Sequence, residues 1–225
     1  MLSIKNISIE IEKKLIVSNF SLELSPSTLH VLLGPNGAGK SSIAQILLGN
    51  PLYSVVDGSC LFQGTDLLSL EPHERARQGL CIVQQESIAI PGLSVAVYLK
   101  AIYDALDGEP CQIDIFLEKV RAIFTYVGLD HAFIDRSVHE GFSGGQKKRF
   151  ELAQVLLCQP KCVIFDEVDA GLDEAGRQLL INVIETMRHN HKDFSALFIS
   201  HNYHLYTSFT DVIVHELMPY HTGLP

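Results

Sequence analysis

Eight consecutive residues, Gly34-Pro35-Asn36-Gly37-Ala38-Gly39-Lys40-Ser41, fit the spacing G-x-x-x-x-G-K-[ST] at every defined position. Glycines so spaced let a turn aim its backbone N–H groups inward, and a following helix points the positive end of its dipole at the same spot. A polyphosphate anion suits such a loop. Lys40 is expected to reach the β and γ phosphates and the Ser41 hydroxyl to hold Mg²⁺, a cation that favours sites shared with phosphate oxygens; Gly34 to Ser42 form the expected nucleotide-binding stretch. Val163-Ile164-Phe165-Asp166-Glu167 then runs apolar into two carboxylates. Asp166 is expected to hold Mg²⁺ through its water shell, and Glu167 to accept a proton from an attacking water. The loop alone fits kinases, GTPases, helicases and transport ATPases. The guanine-selecting Asn-Lys-x-Asp tetrapeptide is absent from the sequence.

A third run, Phe142-Ser143-Gly144-Gly145-Gln146, reads as a helix start, with Ser143 and Gln146 spaced as a capping box. It also resembles the [LF]-S-G-G-Q signature of the ATP-binding-cassette (ABC) ATPases. That resemblance implies an α/β P-loop NTPase (RecA-like) core with a parallel sheet, an N-terminal antiparallel β subdomain and an inserted helical subdomain, using ATP and Mg²⁺. It further implies that Ser143, Gly144, Gly145 and Gln146 of one subunit meet the γ phosphate held by the phosphate loop of another, so that ATP drives a transient head-to-tail homodimer. Gln85 resembles the family glutamine that touches Mg²⁺ and the attacking water, and Ala170-Gly171-Leu172-Asp173 the loop that crosses the dimer interface. His201 resembles the switch histidine on the γ phosphate. The implied catalytic set is Glu167, His201 and Gln85, and the metal set Ser41, Gln85 and Asp166. The aromatic ring that the family often stacks on adenine is missing near Ile11 to Lys14.

Longer stretches narrow the resemblance. Asp66 to Arg77, Ile90 to Val95 and Glu140-Gly141-Phe142-Ser143-Gly144-Gly145-Gln146-Lys147-Lys148-Arg149 are similar to the SufC branch, the ATPases of SUF iron–sulphur cluster assembly, over residues 2 to about 214. The branch implies SufB/SufD-like scaffold proteins as partners, reached through the cleft beside Gln85. An ATP-binding subunit of a membrane importer or exporter is the alternative, and co-purification separates the two. A non-catalytic nucleotide-gated subunit is disfavoured by the presence of Lys40, Asp166, Glu167 and His201. The resembled ATPases continue past their last strand into a Gly-Arg hairpin and a terminal helix, where this sequence has His215 to Tyr220.

The elements that must carry these residues follow from patterning. Leu2, Ile4, Ile7, Ile9, Ile11 and then Phe20, Leu22, Leu24 alternate as half-buried strands do. Leu29 to Leu33, Leu80 to Val83, Cys162 to Phe165 and Ala196 to Ser200 are short apolar runs suited to strands buried on both faces, each followed by polar residues where a parallel strand's carboxyl end carries function. Helices are predicted at Ser41 to Leu48 and from Pro72 to Arg77. From about Ile88 to Arg149 the pattern is predicted helical, with amphipathic stretches at Val95 to Leu106 and Ile115 to Val127. The chain thus divides into a core with its β subdomain (1–87 and 150–225) and a helical subdomain (88–149).

Composition sets outer bounds. With 225 residues, 47% hydrophobic and 19% charged, and a mean hydropathy of +0.18, the chain reads as globular rather than disordered. A formal charge of −9 argues against nucleic acid or a polybasic membrane contact. No apolar stretch is long enough to span a bilayer and the start lacks a signal-like apolar region, so a cytoplasmic protein with no direct membrane insertion is expected. Five cysteines without a Cys-x-x-Cys pair suggest reduced, buried thiols. His189-x-His191 and His201-x-x-His204 lack a third ligand of suitable type.

Overall fold

A computed structural model describes residues 1–84, 87–107, 110–169, 171–201, 206, 208–209 and 211–220. In chain order the elements are β1 (Leu2–Ile11), β2 (Lys14–Leu24), β3 (Leu29–Leu33), α1 (Lys40–Leu48), β4 (Tyr53–Phe62), β5 (Thr65–Asp66), α2 (Pro72–Arg77), β6 (Leu80–Val83), β7 (Ile90–Ser94), α3 (Val95–Asp107), α4 (Ile113–Val127), β8 (Ser137–Val138), α5 (Gly144–Cys158), β9 (Cys162–Asp166), α6 (Glu174–Asn190), β10 (Ser195–Ser200) and β11 (Val212–Glu216).

The alternating N-terminal strands form an antiparallel sheet in the order β2-β1-β4-β5, and the short apolar runs form a five-stranded sheet in the order β11-β3-β10-β9-β6. Every pairing in the second sheet is parallel. Its central strands are buried on both faces, as their apolar character requires. Val31, Phe165 and Phe198 face one core with Phe150 of α5 and Val183 of α6, where Phe165 and Phe198 stack with ring centroids 5.1 Å apart. Leu32, Ile164 and Ile199, each adjacent in its strand to one of those residues, face a second core with Ile43 and Leu47 of α1 and Ile4, Ile7 and Ile9 of β1. The parallel sheet therefore lies between α5 and α6 on one face and α1 with the antiparallel sheet on the other.

The segment from Ile88 to Arg149 is not helical throughout. Pro91 and Gly92 interrupt the helical pattern, and β7 instead pairs with β8 in a two-stranded ribbon, Ile90 against Val138. The helices in it are α3 and α4, and α4 contributes Phe116, Val120 and Phe124 to the core it shares with α5. Helix α5 runs unbroken through Arg149 into the core, so the signature run and the core share one rigid element.

Candidate active site

Parallel strands of matched register deliver residues far apart in sequence to one edge. Leu33 pairs with Ser200, Ile199 with Asp166 and Val83 with Phe165. Consequently the loop after β3, His201 after β10, Glu167 after β9 and Gln84 after β6 leave the sheet side by side.

The loop after β3 turns at Gly39, where φ is 96° and an added Cβ would stand 2.4 Å from Val17 Cγ2 of β2. Only glycine both adopts that left-handed turn and admits β2 against it. Gly39 makes no side-chain cap bond and α1 has no acidic residue in its first turn, so its first N–H groups face outward as an anion site. Ala38 is buried under the loop, its N–H donating to Pro35 O at 3.2 Å.

Lys40 is only 4% exposed. Its ammonium donates to Gly34 O (2.8 Å), Pro35 O (3.1 Å) and His201 Nδ1 (3.2 Å). Burial pulls its pKa below the usual lysine value, against the opposing charges of Glu167 and Asp166. His201 Nδ1 faces both the Lys40 ammonium and Gly34 O (3.3 Å), and its Nε2 lies 2.6 Å from Glu167 Oε1, a carboxylate oxygen that accepts from it. Lys40, His201 and Glu167 thus form one chain of contacts linking three strand ends.

Glu167 has φ 51°, a region uncommon for its side chain, which costs on the order of 1 kcal/mol or more. Its N–H donates to Ile199 O at 2.9 Å, which holds the turn. The turn separates the adjacent acids: Glu167 reaches His201, while Asp166 stays buried and accepts from the Ser41 hydroxyl at 3.4 Å. Burial, and then the charge of Glu167, push Asp166 from 3.8 up to about 6, with Ser41, Lys40 and His201 acting in the other direction. The Ser41 hydroxyl and the buried Asp166 carboxylate, in contact beside the phosphate loop, are hard-oxygen donors of the kind that fit Mg²⁺.

Asn36, Gly37, Gly39, Lys40, Ser41, Ser42, Glu167 and His201 line one cavity of about 240 Å³. Ile16 of β2 lines it too. Ile11 to Lys14, where the family's ring would fall, form the β1–β2 turn, and Ile16 together with Val17 lies beside Gly39.

Ser143 caps α5 as its spacing predicts: its hydroxyl accepts from Gln146 N–H (3.3 Å), and Gln146 Oε1 accepts from Ser143 N–H (2.8 Å). Gly144 and Gly145 line a separate cavity of about 380 Å³ with Gly171, Leu172 and Asp173. No residue lines both cavities, so within one chain the signature and the phosphate loop are not brought together. Gln85, Ala170 and His204 lie outside the described residues.

The sequence model of the ABC transporter family matches residues 17–170, which includes the phosphate loop, the signature and the paired acids. The chain belongs to that family. A probable ABC transporter ATP-binding protein of Streptococcus pyogenes serotype M3 is 36% identical over 220 residues, 97% of this chain and 85% of the relative. Vegetative protein 296 of Bacillus subtilis is 35% identical over 219 residues, 96% and 83% of the two chains. A probable ATP-dependent transporter of Synechocystis is 34% identical over 205 residues, 89% and 79%. Among solved structures, an ATP-binding cassette captured as a dimer after hydrolysis, with ADP and Pi bound, matches with a TM-score of 0.81 at 16% identity, covering 96% of each chain. An ATP-bound bacterial Atm1-family ABC exporter matches with a TM-score of 0.72 at 25% identity, covering 96% of this chain and 37% of the exporter. This ABC cassette is an ATPase that binds ATP with Mg²⁺. Among the described residues, no helix is long and apolar enough to cross a membrane.

Proposed function

We propose that this ABC ATPase serves SUF iron–sulphur cluster assembly in the cytoplasm, where ATP closes two copies head to tail and the motion is passed to a SufB/SufD-like scaffold. The observation that carries the dimer is the separation of the two anion sites in one chain, since each needs the other's ligand set from a second copy. Lys40 and the N–H groups of the loop and α1 bind the β and γ phosphates, and Ser143, Gly144, Gly145 and Gln146 of the second copy approach the γ phosphate from across the interface. Ser41, Asp166 and Gln85 hold the Mg²⁺, which neutralises phosphate charge when bound. Glu167 takes the proton from the attacking water, and His201 orients that carboxylate through its Nε2.

The SUF assignment rests on the Asp66–Arg77, Ile90–Val95 and Glu140–Arg149 runs. An apolar groove of about 370 Å³ between the core and α3, lined by Leu47, Leu48, Leu80, Ile82, Ile102 and Leu106, suits the docking of a scaffold segment. Membrane transport is the second reading, favoured by the names of the streptococcal and cyanobacterial relatives. Purification of the tagged chain from its own cells tests the choice. A soluble pair of scaffold proteins is expected, and a polytopic membrane subunit in its place would overturn the SUF reading.

A further inference from the structure

Helix α1 presents the phosphate loop, yet it is held from its other end by a residue of a different helix. Its nine residues span about 13 Å, from the phosphate-facing N-terminus to the C-cap Gly49. The last carbonyls of a helix have no partner within it, and the last turn of α1 contains no basic side chain to meet them. Arg75 of α2 supplies that cation. Its Nη1 donates to Ile46 O (2.5 Å) and Leu47 O (3.0 Å), and its Nε donates to Leu70 O (2.8 Å) in the turn before α2. Arg75 is 6% exposed. Burial lowers its pKa from the usual value, while the charges of Glu71 and Asp66 favour the cation. Gly49 makes the contact possible: its φ is 85°, and an added Cβ would lie 3.1 Å from Arg75 Cζ.

We propose that Arg75 is a positioning residue for nucleotide binding. Two effects act together. The guanidinium fixes the axial position of a short helix whose opposite end must meet phosphate oxygens within hydrogen-bond tolerance. It also cancels the partial negative charge at the C-terminus of α1, leaving the positive N-terminal end uncompensated and so more attractive to an anion. A planar fork with several donors can meet three carbonyls at once, whereas lysine offers a single ammonium and glutamine no charge. Arg75 donates at the far end of α1 and lines no part of the cavity shared by Lys40, Ser41, Glu167 and His201, so its effect falls on ground-state binding of phosphate rather than on proton transfer at Glu167. The inference depends only on the ATPase, not on which partner docks.

The test compares Arg75→Lys and Arg75→Gln in the full chain, measuring Mg·ADP affinity by calorimetry together with KM for ATP, kcat and thermal midpoint. Loss of uniform binding raises KM and leaves kcat nearly unchanged, so Arg75→Gln should weaken ADP and raise KM by about tenfold while kcat falls by less than about threefold. Retained charge should limit Arg75→Lys to about a threefold change in both affinities. Wild-type ADP affinity and KM alongside a lowered thermal midpoint would reduce Arg75 to a structural role and overturn the proposal, as would a fall in kcat matching the rise in KM. If Arg75→Gln does not fold, Arg75→Lys decides: an unchanged KM in that variant refutes the positioning role.

Discussion

Acidification should loosen this protein through one pair of imidazoles, buried His30 and half-buried His215. His30 of β3 and His215 of β11 lie with ring planes 7° apart, and His30 Nδ1 is 2.7 Å from His215 Nε2. The direction of each bond follows from the outer end of the chain of contacts. The Thr28 hydroxyl donates to Ser25 O (2.6 Å), so Thr28 Oγ1 accepts from His30 Nε2 (2.8 Å), His30 Nδ1 is unprotonated, and His215 Nε2–H donates to it. A proton added to His30 would face the N–H of His215. Burial and the neighbouring His215 lower His30 from 6.5 to about 4 in the folded chain. As pH falls below 6.5 the unfolded chain takes up a proton that the folded chain refuses. The stability contribution is therefore complete above about pH 6.5, lost progressively down to about pH 4 and level below that, totalling about 3 kcal/mol. Urea unfolding of the wild type and His30→Gln across this range reads the contribution of the pair, since His215, itself lowered by burial, loses its ring partner in the variant while groups away from the pair are common to both. The wild type should lose about 3 kcal/mol more than the variant between neutral pH and pH 4. Parallel stability curves, or a His30 that titrates by NMR near the usual histidine value, would refute the assignment.

Two further predictions concern catalysis. Glu167→Gln should retain ATP affinity and lower kcat by about 10²-fold or more, since the proton acceptor is lost while Lys40 stays in place; wild-type turnover would remove Glu167 from its role. Ser143→Arg and Lys40→Ala chains should each be inactive alone. Mixed equally, they should recover about a quarter of wild-type activity, because half of randomly paired head-to-tail dimers carry one intact composite site of two; an inactive mixture of chains that still bind one another would count against sharing of the site.

Much of this site was legible because its signals are local. Gly34 to Ser41, Ser143 to Gln146 and Asp166-Glu167 each unite residue type with an adjacent strand or helix start, and the apolar runs that become β3, β6, β9 and β10 carry no competing periodicity. What escaped was decided by partners distant in sequence. The β7–β8 ribbon needs Ile90 to find Val138, a pairing that no window around Pro91 reveals. Ile16 enters the site because Gly39 lets β2 approach, and Arg75 caps α1 from a helix whose own pattern is unremarkable in sequence. The Thr28–His30–His215 chain similarly requires β11 to lie beside β3.

Net charge gave no hint that an anion would bind here, and the geometry explains why. The chain carries −9, yet the positive character at the phosphate loop comes from backbone N–H groups at one helix end, a Lys40 ammonium withdrawn from bulk water, and a guanidinium at the helix's far end. Backbone dipoles add nothing to formal charge, and a buried cation is screened far less than a surface one. Replacing exposed lysines should therefore change ATP affinity much less than neutralising Arg75, which sits at the opposite end of α1 from the phosphate loop but acts along that helix's axis.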